Sequence, residues 1–429
     1  VVVAMLLANL PFTKEFYHNF LETDISLRFQ SPGGESILFP NGMTVEKFIN
    51  DILMTVFFFT VGLEIRREMK NGELSSLKKA MMPVIAAFGG VVAPALIFTA
   101  INHGSAAASG WGIPTATDAA ASGWGIPTAT DIAFAVGILS ILGDRVPVSL
   151  KVFLTALAIA DDLIAILVVA LFYGGTINFG LLSIAFVLIA LVLLMNKLGE
   201  KRGWFYLVPA IAIWSLFYYA GIHSTMSGVV MAFLVPMTPR FSEAYFRRKR
   251  LQYIRRLNEY NGIESTSAEF PNGPQRHCLR RLSAISRDSI GMSYRLEHAL
   301  GPWVNFLIMP IFALANAGVE IPDVSYFNVF HFDQVLGSVS MGIFLGLVLG
   351  KPLGISLASF IAVKLHVGEM PAKSSWPMLI AVACLGGIGF TMSIFVDTLS
   401  FGDQTPEVMA RLRDMGKVAV LMGSLCAGI

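Results

Sequence analysis

Charge is scarce in this sequence of 429 residues: aspartate, glutamate, lysine and arginine make up 14% of it, against 55% hydrophobic residues and a mean hydropathy of +0.67. Soluble domains average about 25% charged, so the balance excludes an ordinary water-soluble fold and points to a polytopic membrane protein. The net charge is only +2, too small to attract a nucleic-acid partner. Cysteine is scarcer still. Cys278, Cys384 and Cys426 show neither paired nor metal-type spacing, which leaves no disulfide framework and no zinc site. A methionine at position 1 is also missing, and the chain starts and stops within apolar runs. That is the expectation for a fragment whose two terminal helices are clipped.

What the sequence does have is apolar runs long enough to cross a bilayer, whose ~30 Å core takes about 20 helical residues. The expected fold is all-α, with about 12 transmembrane helices. The runs are Val1–Leu10, Val45–Leu63, Met81–Ile101, Pro127–Leu142, Val148–Phe172, Phe179–Met195, Trp204–Tyr219, Ile222–Met237, Leu296–Ala317, Val335–Val363, Trp376–Leu399 and about Met409–Ile429. Pro11–Thr44 is polar, with a turn signal at Ser31–Glu35, and has room for a short hairpin outside the bilayer. One transmembrane domain is expected over 1–429, with a basic loop, 238–294, inserted between spans eight and nine.

Orientation follows from lysine and arginine in alternate loops. Arg66, Arg67, Lys70, Lys78 and Lys79 follow span two, and Lys197, Lys201 and Arg202 follow span six. Thr238–Arg295 carries twelve basic residues against five acidic ones, while the intervening loops His103–Gly125, Gly174–Asn178 and Gly318–Gln334 carry no lysine or arginine. The basic loops and the N-terminus are therefore expected on the cytoplasmic side. Arg411, Arg413 and Lys417, at the start of span twelve, fit this pattern less well.

Residues 106–118 recur without change at 119–131. A perfect copy is unlike the decayed self-similarity of a repeat fold; a recent duplication and a fault in the record are both consistent with it. Only the second copy runs on into an apolar helix, so the working role falls to Thr130 and Asp131, and Thr117 and Asp118 are expected in an outer loop.

Chemistry concentrates where ionisable groups fall at membrane depth. Asp161 and Asp162 sit in the run Val152–Leu171, otherwise apolar except for Thr155. Each mid-span carboxylate costs roughly 2.5–3.5 kcal/mol on insertion scales, so two in succession call for compensation. Pro127–Asp131 opens span four with proline, two threonines and an acid. Gly350–Gly354 puts Lys351 in the middle of span ten beside Pro352, which removes a helical N–H. Gly386–Thr391 places three glycines in four positions of span eleven. At about 1 kcal/mol each relative to alanine, these favour an unwound segment, tolerated in a bilayer only where protein or a watery cavity surrounds it. Together they suggest a midplane cation site. Asp131 would offset positive helix ends and Lys351 negative ones, while Asp161, Asp162, Thr130 and free carbonyls would supply the oxygens a small hard cation wants. Protons want the same carboxylates.

Val61–Glu68, Ala129–Ala135, Leu157–Leu163, Gly350–Ile355 and Gly387–Ser393, in this order and spacing, resemble the NhaA-type bacterial sodium/proton antiporters over nearly the whole chain. The resemblance implies inverted repeats in spans three to five and ten to twelve, with spans four and eleven as a crossed, broken pair. It implies export of Na+ or Li+ against two inward protons, in the bacterial inner membrane and with no cofactor. It further implies that Asp161 and Asp162 carry the ion and the protons, that Thr130 ligates sodium, that Asp131 balances the crossing, and that Lys351 pairs with Asp161 when the ion is absent. Glu64, Arg67, Glu68, Glu297 and His298 match a cytoplasmic pH-sensing region, and His223 a histidine linked to pH response. A homodimer is the family expectation.

There are departures. The loop Thr238–Tyr294, with Phe246–Arg250, Arg255 and Arg256, is long; it reads as a solvated segment reinforcing topology, with anionic lipid headgroups as its alternative partner. Gly301 stands where some members have a second histidine, so the pH dependence is expected to differ. Asp397, near the outer end of span eleven, is an extra acid without an assigned role. An intramembrane aspartyl protease also needs two acids, but places them on separate helices, one in a Gly-x-Gly-Asp setting absent from this chain. A passive channel would conduct sodium without opposing protons.

Overall fold

The structure, a computed structural model, describes residues 1–25, 43–102, 123–172, 177–261, 273–321, 338–400 and 406–429, with Pro271 and Val329. The tip of the hairpin expected in Pro11–Thr44, the first repeat copy with Thr117 and Asp118, and most of the loop Gly318–Gln334 lie outside the described residues. All regular structure among the described residues is helical, apart from one antiparallel bridge, Asp24–Thr44.

Two short helices, α1 (Val2–Asn9) and α2 (Lys14–Glu22), come first. Next, α3 (Val45–Phe48), a π-helical turn (Ile49–Leu53) and α4 (Met54–Asn71) form one span, Val45–Asn71. Then come α5 (Leu77–Ile101), a 3₁₀ segment (Gly123–Thr128), α6 (Ile132–Ile141), α7 (Val148–Phe172), α8 (Phe179–Lys197), α9 (Trp204–Ala220) and α10 (Met226–Leu234). The polar segment 238–294 contains α11 (Glu243–Asn261) and α12 (Gly273–Asp288). In α11 Glu243 pairs with Arg247 one turn on at 2.8 Å, and α12 buries Cys278 and Ile285, so these described residues are helical and not a plain loop. The last part comprises α13 (Met292–Trp303), a π-helical turn (Val304–Ile308), α14 (Met309–Asn316), α15 (Val339–Leu345), a π-helical turn (Gly346–Gly350), α16 (Lys351–Lys364), α17 (Trp376–Leu385), α18 (Phe390–Leu399) and α19 (Pro406–Gly428).

Among the described residues, seven helical segments are long and apolar enough to cross a bilayer, and α17–α18, bent by 47° at its break, makes an eighth if taken as one span. Helices satisfy most of their backbone groups internally, as a lipid core demands, and the chain is an all-helical, multi-pass membrane protein.

Two local devices position the functional groups. Pro352 needs space beside the carbonyl four residues back, and the wide turn Gly346–Gly350 supplies it one residue before Lys351. Helices α5 and α16 meet at glycine: a Cβ on Gly354 would lie 2.1 Å from the Gly89 carbonyl oxygen, and one on Gly89 would lie 2.4 Å from that of Gly354. Without side chains there, the backbones touch, as small residues allow between membrane helices.

Apolar packing falls into two bodies. The larger takes in α1, α2, α4–α7 and α14–α19, with Val229 of α10, and encloses the buried acids. The smaller joins Ala185 and Val192 of α8, Ile213 and Phe217 of α9, and Met231 and Leu234 of α10. Helix α8 turns Ile184, Phe186 and Val187 outward, as a lipid-facing helix does.

Candidate functional site

The site is built at the middle of α7. Asp161 and Asp162 are 3% and 2% exposed; successive helical residues point ~100° apart, so the two face different neighbours. Asp161 Oδ2 accepts from Lys351 Nζ at 2.5 Å. Lys351 is fully buried at the start of α16 and also donates to the hydroxyl of Thr130. The Thr130 hydroxyl in turn donates to the Gly386 carbonyl at 2.8 Å, just beyond the C-terminal end of α17. Lys351 thus reaches that negative helix end through Thr130 and not directly.

Asp162 has no such partner. The Oδ1 atoms of both Asp161 and Asp162 are buried without a hydrogen bond, an arrangement that costs roughly 1–3 kcal/mol or more for each group. The charges that bear on Asp162 are Asp161, Asp131, Glu64 and Lys351.

The break between the 3₁₀ segment and α6 and the break between α17 and α18 meet beside these acids. Residues 129–131 form a non-helical stretch between the 3₁₀ segment and α6, with Asp131 extended. Asp131 caps α6 by accepting from the Phe134 N–H at 3.3 Å. Its Oδ2 accepts from the Thr391 N–H at 3.1 Å and from the Thr391 hydroxyl, and its own N–H donates to the Ile388 carbonyl at 2.7 Å. One carboxylate therefore serves two helix N-termini, where the orphan N–H groups and the dipoles both favour an anion. Glycine is required for the approach: a Cβ on Gly389 would lie 2.9 Å from the Ala129 carbonyl oxygen. The first N–H of α18, at Phe390, donates to Ser424 Oγ at 3.2 Å.

The structure brings Asp161, Lys351 and Thr130 into direct contact, and places Asp131 at the same break but bonded to Thr391. Thr391, the Gly386 carbonyl and Ser424 were not singled out from the sequence. For Thr391 the signal was its place directly after the glycine run, where a helix restarts and needs a partner for its N–H groups.

A second cluster lies at the other end of α4. Arg67 stands 3.1 Å from Glu68 and 3.8 Å from Glu64, and pairs with Glu297 of α13. Arg66 donates to the carbonyls of Ala232 (2.9 Å) and Val235, tying α4 to the end of α10. His298 is exposed and turns to Tyr294, its Nδ1 3.1 Å from that carbonyl. His223 lies apart, at the α9–α10 turn, with Nδ1 2.7 Å from Thr225 Oγ1 and its ring edge-on to Phe395.

Ionisable groups buried inside an all-helical, multi-pass bundle, beside two helix breaks, mark the functional region of a membrane protein. The family described as Na+/H+ antiporter 1 matches residues 1–122 and 119–429, and the chain belongs to that family. The two matched stretches meet inside the repeated segment. Its relatives include a Na(+)/H(+) antiporter NhaA of Syntrophobacter fumaroxidans, 42% identical over 392 residues, covering 90% of this chain and 77% of the relative. The NhaA of Oleidesulfovibrio alaskensis is 39% identical over 427 residues, covering 100% and 87%. That of Shigella dysenteriae is 37% identical over 429 residues, covering 100% and 91%.

Proposed function

We propose that the protein is a secondary transporter, not an enzyme, that exports Na+ or Li+ in exchange for protons moving inward. The names of its relatives support the exchange. The observation that carries the site is the buried set of oxygens: Asp161 held by Lys351, and Asp162 beside it with an oxygen that no donor satisfies. Sodium favours oxygen ligands, and the ligands we assign to it are Asp161, Asp162 and Thr130.

On the cytoplasmic side the two acids lose protons and sodium binds, displacing the Lys351 ammonium from Asp161. The larger body then rocks against the smaller one. Sodium leaves outward, the acids take protons from outside, and Lys351 returns. Neighbouring acids titrate as a pair, so the proton count belongs to both together; two protons per ion is the family expectation. Counting α1, α9, α10 and α19 with the eight segments above gives twelve spans, with spans four and eleven crossed inside inverted repeats. The N-terminus is cytoplasmic and the membrane is the bacterial inner membrane. The insertion 238–294 faces the cytoplasm and its lipids, and two copies form a dimer. Glu64, Arg67, Glu68 and Glu297, with His298 nearby and His223 at a distance, adjust activity to pH.

The test is Asp162→Asn in everted vesicles. Sodium-dependent proton movement is abolished while the protein still inserts; retained exchange by this variant rejects the assignment.

A further inference from the structure

Asp397 has no part in the cycle above, yet it is buried as deeply as the site. It sits near the outer end of α18, fully enclosed, and neither of its carboxylate oxygens has a hydrogen-bond partner. Among the described residues it is the one carboxyl group with both oxygens left so.

Its surroundings are specific. Gly389, Ser393, Asp397 and Ser400 follow one another at four, four and three residues, one face of a helix. Ser393 and Ser400 are fully buried, and Ser393 Oγ also lacks a partner. A polar stripe therefore runs from the break beside Ala129 and Asp131 to Asp397, about 12 Å along the axis. Opposite Asp397, α19 carries Gly416, where a Cβ would lie 2.0 Å from Asp397 Oδ1. The carboxyl group fills the space that any side chain there would need.

The charges facing Asp397 come from α19: Lys417 and Arg413 attract it and Asp414 repels it. Glu46, before α4, acts on Arg413 in turn. Of the other elements packed on α18, α14, α6 and the 3₁₀ segment Gly123–Thr128 contain no charged residue; α4, whose charged residues Glu64–Lys70 follow further along the helix, meets it through Phe58, 5.3 Å from the Phe395 ring, and His223 stands against Phe395 one turn away. Arg413 is engaged elsewhere, its Nε and Nη2 each 3.3 Å from the Ser400 carbonyl. Two of the three basic residues that fit the loop-charge pattern poorly thus face this acid, near enough to attract it and too far to bond it. A buried carboxyl placed between enclosure, which favours its neutral form, and nearby cations, which favour its ion, is able to exist in both states.

We propose that Asp397 is a second proton-binding carboxyl, on the outward side of the carrier, that loads from the external face and passes protons along the Ser393 stripe toward the carboxylate pair. The inference rests on the proton-exchange reading above. In the step, external hydronium gives its proton to a carboxylate oxygen of Asp397 and leaves as water. The O–H bond so formed then breaks as the proton moves inward, and Asp397 returns to its anion; nothing is oxidised or reduced.

Two measurements test it. The first uses the purified wild-type protein and a hydrophobic carbodiimide, which reacts with protonated buried carboxyl groups, with the adduct located by mass spectrometry. Labelling of Asp397 is expected to fall as pH rises and to be indifferent to sodium. Labelling unaffected by pH, or blocked by sodium as at a cation site, overturns the proposal. The second uses liposomes of one orientation, with the cytoplasmic-side pH fixed and the external-side pH varied. Asp397→Asn is expected to move the external-pH profile of exchange by about one unit, a tenfold change in proton demand, with the cytoplasmic sodium dependence unaltered and Asp397→Glu restoring the profile. A profile identical to wild type overturns the proposal. If the wild type itself shows no sodium-driven proton movement, the exchange reading fails, and the labelling still decides whether Asp397 binds protons.

Discussion

Lys351 and Asp161 form an ion pair at 2.5 Å from which solvent is shut out, between helices 190 residues apart in the chain. In so dry a setting each charge depends on the other. Desolvation of the two costs several kcal/mol per ion, offset only while the geometry holds.

Replacement of Lys351 by alanine is therefore expected to destabilise the protein by roughly 3–5 kcal/mol, because Asp161 is left as an uncompensated buried charge. Thermal unfolding in detergent measures this. Adding Asp161→Asn to the same chain is expected to return much of the loss, since contacting groups are not additive. A double variant as unstable as the sum of the two single ones contradicts the pairing.

Asp131 and Thr391 make a second such relationship. Thr391→Val keeps the shape but removes the hydroxyl that donates to Asp131 Oδ2, leaving the backbone N–H groups of Thr391 and Phe134. A hydrogen bond to a charged group contributes about 1.5–3 kcal/mol, and a loss of that size is expected in the same unfolding experiment. In a background of Asp131→Asn the loss is expected to shrink. An equal loss in both backgrounds places the effect of Thr391 elsewhere.

The α5–α16 contact gives a packing prediction. Gly354→Ala drives a Cβ into the Gly89 backbone, and overpacking of this kind costs typically 1–3 kcal/mol. Gly137→Ala is the control, because a Cβ there meets nothing within 4 Å. The folded fraction surviving heating in detergent is expected to drop for the first and to hold for the second.

Much of this was legible from hydropathy and from the rarity of charge in lipid. The span Val148–Phe172 coincides with α7, since a mainly apolar run of this length crosses a bilayer as one helix despite its two acids. The glycines of Gly386–Gly389 do mark a break between helices. Hydrogen-bond partners far apart in sequence were not legible from spacing: Lys351 and Asp161 were expected together only through the family resemblance, and Thr391 meets Asp131 across 260 residues. The wide turn before Pro352 was equally hidden, because a proline states that space is needed and not how the helix provides it. In the segment 238–294, high polarity hid two helices, whose ion pairs and small buried faces leave little hydropathic trace.

The central claim is that sodium and protons occupy the same pair of carboxylates in turn. Calorimetric titration of the purified protein with sodium, repeated across pH in two buffers of different ionisation enthalpy, tests it most directly. The account predicts protons released on sodium binding, and a sodium affinity that weakens about tenfold per pH unit for each competing proton as the medium is acidified. A sodium affinity that is the same at every pH, with no protons released, would contradict it.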